Sequence, residues 1–237
     1  MTTRNRGREA SDDRLFGELP MQEKLKAAAK DMLYLLSRGY AEKSSVQLVG
    51  NRYTLNARQQ RALHGMSCSE QQIVIRNKNR VTPKMLKGQT IAIDGFNLLI
   101  ILESALSGAY IFKGLDGYYR DVSGVHGTYK RVQKTEEALL VIGNTLDKLG
   151  VSWVHWYFDA PVSNSGRLKT TLRELAEQHH FSWKIDLVNN PDKELASSAH
   201  IVVSSDAWIL DRAQKNTNLA AYLIDHHIQE ANIICAE

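Results

Sequence analysis

Residues 90–97 read Thr-Ile-Ala-Ile-Asp-Gly-Phe-Asn, and this stretch decides the fold. The apolar run that ends at Asp94 is short, which predicts a buried parallel strand. From Gly95 an apolar segment continues to Leu106, and this longer segment predicts a helix. A buried strand that passes directly into a helix is typical of an α/β domain. We therefore expect such a domain to begin at about Gln89.

Strands and helices alternate through the rest of the chain. Further strands are predicted at residues 151–158, 183–187 and 200–204. Helices are predicted at residues 134–149, at residues 165–180 and in a short segment opened by Pro191. Residues 110–121 predict a hairpin or an ordered loop, and residues 220–224 a final strand. The alternation predicts a three-layer α/β sandwich with a mainly parallel sheet.

Four aspartates fall at or near the carboxyl ends of these strands. They are Asp94, Asp159, Asp192 and Asp206. Strand ends in such sheets meet at one edge, where ligands bind. Clustered carboxylates repel one another unless a cation neutralises them, and hard oxygen ligands suit Mg²⁺ or Mn²⁺. Asn97 could position a water or a phosphate, and the alternative for each aspartate is a helix cap or turn residue.

Several classes of protein lose support from the sequence. Neither G-x-x-x-x-G-K-[ST] nor G-x-G-x-x-G follows the first strand, which disfavours P-loop and dinucleotide-binding proteins. Cys68 and Cys235 are isolated, which argues against a disulfide framework or a C-x-x-C motif. The amino terminus is polar, and no apolar stretch approaches the roughly 20 residues of a membrane span. We therefore expect a cytoplasmic protein.

The charge of the chain is divided unevenly between its two parts. Residues 1–88 contain 17 Lys and Arg against 8 Asp and Glu, a net charge of +9. Residues 89–237 contain 13 against 18, a net charge of −5. A basic module beside an acidic domain suits a nucleic-acid grip next to a cation-binding centre. The alternative is that the basic surface serves only solubility.

Basic side chains in two parts of the chain are candidates for contacts with nucleic acid. Those of the amino-terminal part are Arg38, Arg52, Arg58 and Arg61. Those of the second part lie in a loop rich in glycine and tyrosine, or at the helix after Asp159: Arg120, His126, Lys130, Arg131 and Arg167. Arg and Lys meet phosphates, while tyrosines stack on bases. An ordinary surface loop and a simple helix cap are the alternatives.

Residues 91–98 resemble the opening strand of PIN-like nucleases, especially the NYN branch, where an Asp-Gly-aromatic-Asn signature supplies the first metal carboxylate. Residues 158–159, 192–195 and 203–206 are similar to the later acidic motifs of that superfamily, in the same order. The resemblance covers about residues 89–224. It implies a ribonuclease or structure-specific nuclease in which these aspartates hold Mg²⁺ or Mn²⁺. Trp208 departs from it, since many NYN proteins have a second Asp there, and Asp211 is the candidate substitute.

The amino-terminal part also resembles a known family. Residues 35–40, 48–53 and 58–62 are similar to an uncharacterised prokaryotic family, domain of unknown function 434. In that family the module precedes a PIN-like region. We therefore expect a basic, mostly helical module at residues 1–88 and a PIN-like α/β catalytic domain at residues 89–237.

Three hypotheses about function follow from the sequence. The first is a metal-dependent nuclease, with RNA favoured over DNA and the amino-terminal module gripping the substrate. The second is a non-catalytic nucleic-acid-binding or adaptor protein with a degenerate PIN-like site, which Trp208 favours. The third is a phosphatase-like enzyme that acts on a small substrate. The sequence implies no membrane partner and leaves a homo-oligomer open.

Overall fold

Four parallel strands form the central sheet of the structure, a computed structural model that describes residues 6–123 and 128–237. Their bounds are β1 Thr90–Asp94, β4 Trp153–Asp159, β5 Trp183–Val188 and β6 Ile201–Val203. They lie in the order β5-β4-β1-β6. Strand β1 therefore lies between β4 on one side and β6 on the other. This arrangement confirms the predicted α/β fold with a mainly parallel sheet.

Helices cover both faces of this sheet because alternate side chains of a strand point in opposite directions. Ile91 and Ile93 belong to one core and Ala92 to another. The helices on the first face are α5 Gly95–Leu106, α6 Thr135–Lys148, α7 Ser165–His179 and α10 Leu219–His227. Those on the second face are α8 Pro191–Ala196 and α9 Ala207–Leu210. The domain thus has the three layers that the sequence predicts.

Three further strands form a second sheet. Strands β2 (Tyr110–Lys113) and β3 (Tyr119–Arg120) are antiparallel and form a hairpin, one of the two alternatives predicted for residues 110–121. Strand β7 (Asn232–Cys235) pairs in parallel with β2 and was not predicted. The order in this sheet is β3-β2-β7.

The prediction of a strand at residues 220–224 is wrong, because this segment lies in α10. Asn218 caps the helix by accepting a hydrogen bond from the backbone N–H of Ala221. Leu219 and Leu223 are buried one helical turn apart. A short apolar run does not by itself distinguish a strand from a buried helix, so the sequence pattern favoured the wrong element.

Over residues 6–88 the structure has four α-helices, preceded by one π-helical turn at Asp13–Gly17 and followed by a 3-10 turn at Pro83–Leu86. They are α1 Leu19–Ser37, α2 Glu42–Arg52, α3 Ala57–Met66 and α4 Glu70–Lys78. Helix α3 begins with a capping box in which Asn56 and Gln59 exchange hydrogen bonds. Helix α4 begins in the same way at Ser69 and Gln72.

Within residues 6–123 and 128–237, none of the helices combines the length and the apolar character that a membrane span requires.

The amino-terminal helices share a hydrophobic core with the second sheet. Phe16 and Leu63 are buried in the same cluster as Phe112 of β2 and Ile234 of β7. The rings of Phe16 and Phe112 meet edge to face, with centroids 4.9 Å apart. This packing holds the amino-terminal helices against the second sheet. A cleft lies between these helices and the carboxyl edge of the central sheet.

Gly95, the first residue of α5, is tightly packed against the central sheet. A Cβ at this position would lie 2.3 Å from Cε1 of Phe158. The Phe158 ring is buried and packs edge to face on Phe96, so it has no room to yield. We expect Gly95→Ala to lower the free energy of unfolding by about 1–3 kcal/mol through overpacking.

Urea unfolding with a matched glycine checks this expectation. Gly166 lies in α7, and a Cβ there would meet no atom within 4 Å. Gly166→Ala should be neutral or stabilising, because alanine is favoured over glycine in helices. Equal unfolding midpoints for the two variants would contradict the packing described for Gly95.

Candidate active site at the carboxyl edge of the sheet

The order of the strands places a crevice at the carboxyl end of β1. The chain proceeds from β1 to β4 and β5 on one side, then returns to β6 on the other side. Such a reversal opens a ligand-binding crevice between the loops that leave the two neighbouring strands. Here Asp94 ends β1 and Asn97 lies in the first turn of α5, while the loop after β6 carries Ser204, Ser205 and Asp206.

Asp94 is the most deeply set carboxylate of this edge. Its Oδ1 accepts a hydrogen bond from the backbone N–H of Asn97, 3.4 Å away, and so caps α5. Its Oδ2 accepts one from Oγ of Ser204, 2.8 Å away. Burial raises the pKa of Asp94 to about 7, against the lowering effect of these hydrogen bonds, and the charges of Asp206 and Asp192 add to the rise.

Asp206 and Asp192 lie in the electrostatic surroundings of Asp94, and Asp159 lies in those of Asp192. Asp206 is exposed and caps α9, since its Oδ1 accepts a hydrogen bond from the backbone N–H of Ile209 at 3.1 Å. Burial raises the pKa of Asp192, and the charges of Asp206 and Asp159 raise it further. Burial also raises the pKa of Asp159. The fold thus brings the four predicted aspartates into one region of negative charge.

The chemistry of these donors fits a hard divalent cation. Asp94, Asp192 and Asp206 offer carboxylate oxygens whose mutual repulsion a cation would relieve. Over residues 6–123 and 128–237, no three His, Cys, Asp or Glu side chains converge into a closed set of ligands. Mg²⁺ does not require one, because it is usually held by one or two carboxylates and keeps several waters. An open site at Asp94 and Asp206 is the arrangement that fits these residues.

Asp211, the candidate substitute ligand, has other partners. Its Oδ1 accepts a hydrogen bond from Nε of Arg76 at 2.7 Å, and its Oδ2 accepts one from Nε2 of Gln72 at 2.8 Å. Both oxygens are therefore engaged by α4. In this arrangement Asp211 joins the amino-terminal region to the α/β domain.

Asn97 is held with its side chain at the crevice. Its Oδ1 accepts hydrogen bonds from the backbone N–H of Ser205 at 2.9 Å and from Oγ of Ser205 at 3.0 Å. These bonds tie the first turn of α5 to the loop after β6. They leave the Nδ2 amide as the group of Asn97 that can donate to a ligand. Ser204 and Ser205, which hold Asp94 and Asn97, were not predicted as site residues.

A cleft of about 220 Å³ lies between this edge and the amino-terminal helices. Asn97, Ser205 and Asp206 line it from the α/β domain. Its other walls include Glu42, Arg61, His64 and Arg120. Arg61 and Arg120 were predicted as contacts with nucleic acid, whereas Glu42 and His64 were not predicted as site residues. No sequence motif connects Glu42 or His64 with the acidic motifs, because they are distant from them in sequence.

Most of the arginines predicted to contact nucleic acid in the amino-terminal region interact with other side chains of the protein. Arg58 pairs with Asp12 at 2.7 Å, and Arg52 with Asp31 at 3.4 Å. Arg38 lies over the ring of Tyr34, with its guanidinium carbon 3.6 Å from the centroid. Of the four arginines predicted in the amino-terminal region, Arg61 lines the cleft, and its Nη1 donates to the carbonyl oxygen of Val122 at 3.2 Å.

The basic residues predicted in the α/β domain divide between two places. Arg120 lines the cleft, although Asp116 and the carbonyl oxygen of Ser205 engage its guanidinium. A separate cavity of about 430 Å³ is lined by Lys130, Arg131 and Arg167. Arg131 also pairs with Glu136 at 3.0 Å. His126 lies outside the residues that the structure describes.

Comparisons with known proteins give this chain a family. Residues 83–222 match a family described as a domain of unknown function, DUF5616. Residues 24–79 match a family described as a protein of unknown function, DUF434, which confirms that part of the predicted relationship. An uncharacterised protein of Methanocaldococcus jannaschii is 31% identical over 201 residues, which span 85% of this chain and 93% of that protein. No solved structure matches the chain. The match over more than half of its length means that the chain belongs to the DUF5616 family, with a DUF434 module before that domain.

Proposed function

We propose that this protein is a divalent-metal-dependent nuclease that hydrolyses phosphodiester bonds in RNA or another structured nucleic acid. The observation that carries the proposal is the set of mutually repelling carboxylates around Asp94 at the crevice of a parallel sheet. The resemblance of residues 91–98 to PIN-like nucleases of the NYN branch supports the same function. Arginines at the adjacent cleft suit an anionic substrate.

In this proposal Asp94 and Asp206 would hold Mg²⁺ or Mn²⁺, while Asp192, whose pKa responds to Asp206 and Asp159, adds negative charge beside the ion. When bound, the ion would polarise a phosphate of the substrate and lower the pKa of a water molecule. Ser204 fixes the orientation of Asp94 through the hydrogen bond to Oδ2. The amide of Asn97 donates to a phosphate oxygen, and Arg61 and Arg120 add positive potential that retains the strand in the cleft.

The cleavage of a labelled RNA hairpin and of the matching DNA hairpin tests the proposal. We expect cleavage that requires Mg²⁺ or Mn²⁺ and stops when EDTA is added. Asp206→Asn should lower the rate by at least about 100-fold, because a carboxylate that holds the ion contributes several kcal/mol to transition-state stabilisation. Asp147→Asn, at an exposed position on α6, serves as the control. Equal metal-dependent rates for the two variants would contradict the assignment of Asp206.

A non-catalytic nucleic-acid-binding or adaptor protein is the second candidate function. Trp208 favours it, because this exposed side chain stands where many NYN proteins have a second Asp. An adaptor with a degenerate metal site should bind no Mn²⁺ in a calorimetric titration at millimolar concentration. The nuclease should bind Mn²⁺, and Asp94→Asn should weaken that binding.

A further inference from the structure

His64 and Glu42 form a pair in the cleft that faces the acidic edge. Nε2 of His64 lies 2.9 Å from Oε1 of Glu42, which joins α3 to α2. Both side chains are about half exposed, at 53% and 54%, and both line the cleft with Asn97 and Asp206. The pair therefore lies within the DUF434 module, yet it is accessible from the site on the α/β domain.

The geometry of the pair leaves one nitrogen of the ring available. Since Glu42 engages Nε2, the nitrogen of His64 that can serve a ligand is Nδ1. A pair this exposed contributes little to the stability of the fold. A carboxylate in a cleft that receives an anionic strand is also unfavourable unless a cation accompanies it. These features favour a functional role over a purely structural one.

The charged groups around His64 favour its protonated form. The hydrogen bond to Glu42 raises the pKa of His64, while burial and the charge of Arg120 lower it and the charge of Asp206 raises it. The hydrogen bond with His64 lowers the pKa of Glu42. Arg61 and Asp121 complete the charged lining of the cleft. The result is an imidazole whose pKa is raised and that lines the same cleft as Asp206.

We propose that His64, oriented by Glu42, protonates the leaving oxygen of the phosphodiester, so that the DUF434 module supplies a catalytic residue. This inference rests on the proposed nuclease function. It gives the amino-terminal module a chemical role in addition to gripping the substrate.

The proton balance of the step is simple. The oxygen of the attacking water forms a bond to phosphorus, and the bond from phosphorus to the leaving ribose oxygen breaks. The proton on Nδ1 of His64 passes to that leaving oxygen, which departs as a hydroxyl. The attacking water loses one proton to the solvent, and the neutral imidazole takes one back from the solvent, so no other reactant is needed.

The test compares two phosphodiesters that differ in the need for a proton. RNA has a poor leaving group, whereas bis(4-nitrophenyl) phosphate releases a phenolate that leaves unprotonated. We expect His64→Gln to lower kcat on RNA by about 100- to 1000-fold and to change kcat on the activated diester by less than about threefold. It should also abolish the fall in rate on the alkaline side of the pH profile.

Two further variants support the reading of this test. Glu42→Gln should move the alkaline limb of the profile to lower pH, because His64 loses the charge that raises its pKa. His200→Gln changes an exposed histidine away from the cleft and should leave both rates unchanged. Circular dichroism of each variant establishes that it is folded.

The remaining outcomes separate this inference from the proposed function. Equal losses on both substrates, or no loss on RNA while Asp94→Asn is inactive, overturn the role of His64 and leave the nuclease function intact. Absence of metal-dependent cleavage by the wild-type protein overturns both.

Discussion

Asp94→Asn should lower phosphodiester hydrolysis by at least about 1000-fold and, at the same time, make the folded protein more stable at pH 8. The loss of activity follows from the removal of the deepest carboxylate of the proposed cation site. The gain in stability follows from the removal of a charge that the fold disfavours. Both effects come from one side chain, so a single variant tests the chemistry and the electrostatics of the site together.

The sign of the stability change follows from the pKa. Burial raises the pKa of Asp94 from 3.8 to about 7, so the folded state binds the proton more tightly than the unfolded state. The associated stabilisation is complete below about pH 4 and is lost as pH rises through 7. A shift of this size corresponds to at most about 4 kcal/mol, and we expect about half of it because Asp94 keeps some contact with water.

Urea unfolding of wild type and Asp94→Asn at pH 5 and pH 8 provides the measurement. The stability of the wild type should fall between these two pH values more than that of the variant does. Asp147→Asn, on the exposed side of α6, should show the pH dependence of the wild type. A variant that keeps nuclease activity, or one that is less stable than wild type at pH 8, would count against the account of Asp94.

Arg76→Met should lower the free energy of unfolding by about 3–5 kcal/mol. Arg76 is 1% exposed and donates to Asp116 at 2.6 Å and to Asp211 at 2.7 Å. It connects α4 with the hairpin and with the helix after β6, so its removal leaves two carboxylates short of a partner in the interface. Breaking a buried ion pair on one side costs this much because the remaining charge stays desolvated.

The pH dependence of the same network has a definite direction. Burial alone would raise the pKa of Asp116, but Arg120 and Arg76 outweigh burial and hold this pKa at about 2. The stabilisation from Asp116 is therefore present above about pH 4 and is lost as pH falls toward 2. Urea unfolding at pH 7 and pH 3 should show a smaller loss on acidification in Arg76→Met than in the wild type.

An exposed arginine provides the control for Arg76→Met. Arg173 lies on the outer side of α7, and Arg173→Met should change the stability by less than about 0.5 kcal/mol. If Arg76→Met has an equally small effect, the buried network does not hold the amino-terminal region to the α/β domain.

The strands of the central sheet could be predicted because each is a short buried run with a clear end. The run before Asp94 and the run before Ser204 are of this kind, and their parallel pairing brings Asp94 near Asp206. The grouping of Asp94 and Asp206 at one edge of the sheet could therefore be predicted from the sequence. Strand β7 was not, because it pairs with β2, more than a hundred residues earlier, and no local pattern encodes that pairing.

The basic residues were harder to interpret than the acidic ones. A sequence gives the charge of Arg58 but does not reveal that Asp12 neutralises it across the amino-terminal region. Asp211 likewise looks like a ligand until Arg76 and Gln72 are placed beside it. His64 was overlooked for the converse reason, since its proximity to the acidic edge arises only when α3 packs beside the sheet.

Manganese in a crystal of the wild-type protein tests the central claim most directly. Mn²⁺ scatters anomalously, so its position and ligands can be read from the density without any assumption about activity. The account predicts one anomalous peak at the carboxyl edge of β1, coordinated by Asp94 and Asp206 with waters in the open positions. Saturating Mn²⁺ with no peak there, or with peaks only at other surfaces, would contradict it.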